Sequence, residues 1–300
     1  MKHSLRSAVI GISTLVLLAS NSYADGHGTD HSHDAPSALD AALAAQSDDH
    51  KARYGARHPK ETLEFFEVKA GDTVVEALPG GGWYTKILLP FLGEEGTLIG
   101  LDYEQSMWQH FGGFATEEFI EKKKAWTTTW PAGTADWGIE HRAPVSAVKF
   151  GAIPEALNGT ADKVLLIRAL HNVARFESKG GYLTTALNNS FSMLKPGGIL
   201  GVVQHEARED RSDEWAGGNA GYLKQSFIVE AATKAGFELV ESSDINNNEL
   251  DQAQSGDIVW RLPPGLATSK EDPELAAQMN AIGESNRMTL KFRKPEWFLI

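Results

Sequence analysis

The stretch Val74-Val75-Glu76-Ala77-Leu78-Pro79-Gly80-Gly81-Gly82-Trp83-Tyr84-Thr85 joins an apolar run to three consecutive glycines and then to two large aromatics. Thr73, Val74 and Val75 read as a short buried strand. The WYTKILLPFL that follows has helical spacing, with Ile87, Leu88 and Phe91 on one face. A glycine turn between a strand and a helix lets a ligand lie against bare main chain at a helix N-terminus. The stretch therefore predicts a strand–turn–helix unit whose turn is a binding loop, provided a sheet surrounds it.

The flanking sequence supplies that sheet. GTLIGLD (Gly96–Asp102) reads as a second strand ending in an acid, VSAVKF (Val145–Phe150) as a third, and Lys163–Ile167 within ADKVLLIRALHNV as a fourth. GILGVVQHE (Gly198–Glu206), FELVESSDI and RMTLKFRK (Arg287–Lys294) complete seven. Helical patterns lie between them: TEEFIEKKKAW, then GGYLTTALNNSFSML closed by KPGG, then LKQSFIVEAATKAG ended by Gly236. Arg57-His58-Pro59 ahead of KETLEFF places a proline at a helix start, with Leu63 and Phe66 toward the core. The section after TEEFIEKKKAW is rich in Thr, Pro and Gly and carries Trp126, Trp130 and Trp137. Strands alternating with helices predict an α/β fold, a mostly parallel sheet covered on both faces. Ligands of such sheets sit beyond the carboxyl ends of the strands, where the glycine turn, Asp102 and Arg168–His171 should meet.

Composition narrows the function classes. At 300 residues and 42% hydrophobic the chain has ample material for a core. Lys2 and Arg6, the apolar run Ala8–Ala19 and Ser22-Tyr23-Ala24 have the pattern of a signal peptide cleaved after Ala24. The expected product is periplasmic or secreted, and no later stretch is long and apolar enough to span a bilayer. The chain has no cysteine, which removes disulfides, thiol nucleophiles and cysteine–zinc sites. A formal net charge of −12, more negative still without Lys2 and Arg6, opposes binding to phosphate backbones, so nucleic acid is not an expected partner. The leader from residue 25 to 50, beginning DGHGTDHSHD, reads as solvated and holds no expected metal site. A single domain is expected from residue 51 to 300.

Taken together, RHPKETLEFF, VVEALPGGGWYT, LIGLD, LLIRALHNV, LKPGGILGVVQHEA, AGFELVESSDIN and ESNRMTLKFRKP resemble the class I S-adenosylmethionine-dependent methyltransferases, and more closely a group of exported bacterial members. The resemblance runs from about Arg53 to Pro295. It implies a Rossmann-like, doubly wound seven-stranded sheet, mostly parallel with an antiparallel last strand. It also implies S-adenosyl-L-methionine as cofactor and methyl transfer to a small-molecule acceptor. Glu76 takes the position of the family's acid before the turn, and Gly80 and Gly82 those of its last two glycines. Leu78 stands where the first glycine is usual, a departure that implies a shifted backbone. Asp102 matches the acid that binds the ribose hydroxyls, and Tyr103 is placed to pack on adenine. Pro79, Gly81 and Tyr84 complete the expected cofactor wall, and Arg168 is placed for a carboxylate. The dinucleotide fingerprint fits less well, because its third glycine position is Thr85.

Methyl transfer needs donor and acceptor held in line and a base only for a protonated acceptor. His171, just past the fourth strand, is the candidate base, and Asn172 a candidate for orienting the acceptor. His205, Glu206, Arg57 and His58 are second-line candidates around the same cleft. The three tryptophans, Asn246–Asn248 and Trp260–Gly265 are candidates for the acceptor wall. An exported chain works away from where the donor is made. The alternative reading is therefore a non-catalytic periplasmic binding protein on the same fold.

Overall fold

The computed structural model describes residues 37–296, so the signal-peptide reading and the His/Asp stretch DGHGTDHSHD lie outside the described residues. The strands are β1 (Thr73–Ala77), β2 (Thr97–Asp102), β3 (Val145–Lys149), β4 (Ala161–Ile167), β5 (Leu194–Ala207), β6 (Leu223–Lys224), β7 (Glu238–Ser243) and β8 (Arg287–Arg293). They form one sheet in the order β3-β2-β1-β4-β5-β8-β7, with the two-residue β6 beside β5. Pairing is parallel from β3 through to β5, and β8 runs antiparallel to both β5 and β7. The seven expected strands form; the short β6 is the addition.

The central strands are apolar on both sides because both faces are covered. Val75, Ile99, Leu101, Val164 and Leu166 join one buried cluster, while Val74, Leu98 and Leu165 join the other. The helix Thr85–Leu92 is buried beyond the face its spacing predicted, Leu89 and Leu92 included. The cause is the helix Ala38–Ala44, whose Leu39, Ala42 and Leu43 enter the same cluster. Packed structure thus begins well ahead of residue 51, where the domain was expected to start. Ser37 opens that first helix by accepting a hydrogen bond from the Asp40 N–H.

Two further expectations change. The Thr/Pro/Gly-rich section is a helix, Trp126–Ala135, with Pro131 inside it. Trp126 and Trp130 stack one helical turn apart at 5.2 Å, and Trp130 lies on Gly100 of β2, where an added Cβ would stand 2.4 Å from the ring. Sheet packing outweighs the proline penalty here. KPGG does not close the preceding helix but lies within β5. No helix among the described residues is long and apolar enough to cross a membrane.

The segment between β7 and β8 is held by a buried polar triad. The Arg261 guanidinium donates to the Tyr222 hydroxyl and to Asp251 Oδ1, each at 2.9 Å, and Tyr222 donates to Asp251 Oδ2 at 2.9 Å. The Asn286 N–H also donates to that carboxylate, at 3.0 Å, fixing the start of β8. Asp251→Ala leaves Arg261 with only Asp257, 3.3 Å away, and strips the Tyr222 hydroxyl and the Asn286 N–H of their acceptor. It should lower unfolding free energy by about 3–5 kcal/mol, read from the urea midpoint. A loss under ~1 kcal/mol would show the triad to be incidental.

Candidate functional site

Strand order reverses between β1 and β4, with β2 and β3 on one side and β5 on the other. A cavity of about 600 Å³ opens there, within the ~300–1,000 Å³ span of small-molecule sites. The glycine turn contributes Leu78, Pro79, Gly80 and Gly81 to its lining, and the end of β4 contributes Ile167, Arg168, His171 and Asn172. Leu78 and Arg168 both have left-handed backbones, φ 52° and 57°. Each such residue other than glycine costs about 1–2 kcal/mol. The turn is therefore kept by placing Leu78 itself in the conformation a glycine would adopt. Its N–H still donates to the Leu101 carbonyl at 2.7 Å, and that of Arg168 to the Val203 carbonyl at 2.6 Å. Strain of this kind, paired at the ends of adjacent strands, collects at ligand sites.

The three glycines have different reasons. Gly80 supplies φ 56°; a Cβ on Gly81 would meet nothing within 4 Å, so bare main chain faces the cavity there. Gly82 has φ 77°, and a Cβ on it would stand 2.4 Å from the ring of Trp137. What approaches Gly82 is thus an aromatic side chain from the chain itself.

Of the other expected cofactor residues, Glu76 lies beneath the turn. It accepts a hydrogen bond from Thr85 Oγ1 at 2.6 Å, tying β1 to the next helix. Burial raises its carboxyl to about 7, against the pull of the Thr85 hydroxyl and N–H. Tyr84 is core, with its hydroxyl 3.4 Å from the Arg57 carbonyl. Trp83 lines the cavity, stacked on His50 at 4.5 Å with the Arg57 guanidinium 4.6 Å from its ring centre. Asp102 is buried at the end of β2, and Lys123 Nζ donates to its Oδ2 at 3.1 Å. Lys123 also sits 4.5 Å over Trp108. Asp102 is therefore outside the lining of the main cavity. Burial raises its carboxyl and Lys123 opposes the rise. Tyr103 borders a second, aromatic cavity of about 400 Å³ with Trp108 and Phe111. His171, Asn172 and Trp260 border both, so the two adjoin.

His171 is buried, and its N–H and Nδ1 both lie 3.3 Å from Gln204 Oε1. An amide oxygen only accepts, so Nδ1 carries the proton and Nε2 the lone pair. Burial, with Arg175 and Arg168 adding repulsion and Gln204 opposing, lowers the ring to about 4. A neutral imidazole this acidic is a weak base, which fits His171 better to positioning than to proton abstraction. His205 also lines the cavity, its Nδ1 2.6 Å from Ser285 Oγ. Burial first, then His171 and three arginines, hold it well below the usual histidine range.

Among the second-line candidates, Arg57 and the segment Trp260–Gly265, Arg261 excepted, line the cavity, whereas His58, Glu206, Asn246 and the three tryptophans do not. Asn246 instead bridges Thr62 and Thr289 at 3.0 Å each. Sequence reasoning passed over His50, Arg53, Lys86 and Glu284, all in the lining. Arg53 and Arg57 share a face at i,i+4 spacing in an acidic chain, the one signal that marked them. Glu284 takes Arg53 Nε at 2.8 Å, Arg57 Nε at 3.2 Å and Arg287 at 3.4 Å. Burial pushes the Glu284 carboxyl up, but Arg57, Arg287 and Arg53 hold it below its ordinary value.

The fold is shared with known structures. The [4+2]-cyclase SpnF superposes with a TM-score of 0.51 at 18% identity over 80% of each chain. A geranyl diphosphate methyltransferase in complex with SAM gives 0.47 at 15% identity over 86% of this chain and 96% of its own. A SAM-dependent methyltransferase from Aquifex aeolicus gives 0.45 at 13% identity, covering 81% and 93%. No family model and no curated protein matches the sequence. The likeness to SpnF is one of fold: an open Rossmann-like sheet whose site chemistry has to be read from its own residues.

Glu76 gives a pH test of this geometry. With its folded value near 7 and an ordinary value of 4.5, its contribution is complete below 4.5 and lost as pH rises through 7. His50 and His171, lowered to about 4, contribute fully above 6.5 and lose that contribution as pH falls. The histidines are common to both proteins when wild type is compared with Glu76→Gln. The stability difference should then move in favour of Gln by on the order of 3 kcal/mol between pH 4.5 and 8. Parallel denaturant curves at several pH values measure it; a constant difference would mean Glu76 ionises as freely folded as unfolded.

Proposed function

We propose that the chain binds S-adenosylmethionine at the carboxyl ends of β1 and β4 and directs methyl transfer to a small-molecule acceptor. The observation that carries this reading is the exposed Gly80–Gly81 main chain at the sheet's reversal point, between Arg168 and an adjoining aromatic cavity. The donor supplies an electrophilic methyl group on a sulfonium. Arg168 is suited to an anionic group of the donor or of the acceptor: the Nε is buried and without a hydrogen-bond partner among the described residues. Gly80 and Gly81 leave room beside the main chain. Tyr103, Trp108 and Phe111 offer flat apolar faces for a purine. Lys123 holds Asp102 Oδ2, so it competes with sugar hydroxyls for that carboxylate. His171, neutral and held by Gln204, orients the acceptor together with Asn172. An acceptor that arrives without a proton to lose suits so weak a base.

A second reading, a binding protein without catalysis on this fold, is favoured by the Asp102–Lys123 pair, which withholds the expected sugar grip. Isothermal titration with S-adenosylmethionine and S-adenosylhomocysteine separates the two. Micromolar binding of both is expected, weakened at least about tenfold by Asp102→Ala, the scale of a lost charged hydrogen bond. Lys123→Ala should tighten binding by freeing the carboxylate. If a folded protein takes up neither compound, methyl transfer is excluded and the binding-protein reading stands. Export belongs to the same proposal: N-terminal sequencing of the protein from the producing cell should begin at Asp25. An intact Met1 would remove the compartment argument altogether.

A further inference from the structure

The main cavity gathers cations in an acidic chain. Arg53, Arg57, Lys86 and Arg168 line it, with Glu284 as the one carboxylate in the lining. Arg287 stands close behind, within the electrostatic reach of Arg168 and Arg57. Glu284 is committed to Arg53, Arg57 and Arg287. The Arg168 side chain makes no hydrogen bond or salt bridge among the described residues, and its Nε is buried. A second donor in the lining, Trp83 Nε1, is likewise buried and unpartnered. A native fold rarely leaves a buried guanidinium unanswered, and two orphaned donors around one cavity, one of them a guanidinium, point to a ligand that accepts. The reacting donor would not answer them, since its single carboxylate comes with an ammonium and a sulfonium. A sulfonium also gains nothing from surrounding guanidiniums unless a further anion shares the space.

We propose that this cavity binds a small molecule whose head group carries two or more negative charges, of the phosphate-ester or diphosphate class. This molecule is the acceptor in the methyl-transfer reading; the role as acceptor rests on that reading, the binding does not. Guanidinium forks match phosphoryl oxygens in pairs, and a phosphate class brings several acceptor oxygens and at least two charges to one point. A lone carboxylate satisfies one fork. Trp83, Val259, Trp260, Leu262 and Pro264 form an apolar wall for the rest of the molecule.

The test is titration of the full chain with inorganic pyrophosphate, inorganic phosphate and citrate, each at low and high salt, with S-adenosylhomocysteine run separately. Pyrophosphate should bind about tenfold or more tighter than phosphate, and weaken steeply with salt. Arg168→Gln should cost at least about tenfold in pyrophosphate affinity and at the same time raise the melting temperature. The gain is expected because the substitution removes a buried cation that its neighbours repel. Arg168 as a merely structural residue predicts the opposite pair, a lower melting temperature with affinity unchanged, and that result overturns the proposal. Should R168Q not fold, Lys86→Gln should weaken pyrophosphate severalfold; unchanged affinity there also counts against the site. Absence of pyrophosphate binding by wild type at low salt ends the proposal, and citrate binding tighter than pyrophosphate refutes the phosphate class. Pyrophosphate binding without S-adenosylhomocysteine binding upholds the anion site and removes the methyl-transfer reading instead; the converse removes only the anion site.

Discussion

One carboxylate closes this molecule. Glu284, nearly out of water just ahead of β8, takes hydrogen bonds from Arg53, Arg57 and Arg287. Arg53 and Arg57 belong to the N-terminal helical segments and Arg287 to β8, the last strand in chain order. A buried charge is costly unless paired, and here each partner is itself a cation that needs a counter-charge. The result is a clamp that brings the two ends of the described chain over the reversal point of the sheet. Asn248 supports it from behind, its side-chain amide donating to the Glu284 carbonyl at 2.6 Å and to the Ile282 carbonyl at 2.7 Å. The cavity exists because this clamp holds its roof.

The clamp also explains the electrostatic character of the site. Three guanidiniums share one carboxylate, and Arg168 adds a fourth cation whose side chain makes no hydrogen bond or salt bridge among the described residues. Burial lowers Arg57 and Arg168 to about 10, with repulsion from neighbouring arginines adding to it, yet both remain cations at neutral pH. Burial and the same field keep His50, His171 and His205 uncharged. Left-handed Leu78 and Arg168 add backbone strain at the same point. Functional sites concentrate such local costs, which the large two-faced core offsets elsewhere.

Part of this was legible in the sequence. The seven strands, the helix Thr85–Leu92 and the convergence of the glycine turn with Arg168 and His171 follow from local periodicity and turn chemistry. The helix Trp126–Ala135 was not legible, because Pro131 and the threonines argue against a helix that only stacking on Gly100 rescues. Nor was the division of labour among the glycines. Gly81 meets the cavity while Gly82 meets Trp137, a partner fifty-five positions along the chain. Asp102 sits at the end of β2 as expected, but its carboxylate is claimed by Lys123 from a helix whose docking no local pattern specifies.

The sequence by itself determined the alternation of strands and helices and the place of a bare turn at a strand's end, since both depend on neighbours a few residues apart. Only the tertiary structure decided what the site is made of. Arg53 and Glu284 are 231 positions apart, and the two orphaned donors, Arg168 Nε and Trp83 Nε1, are orphaned only because of what surrounds them. Charge and desolvation act through space, so a cation cluster has no signature along the chain until the fold gathers it.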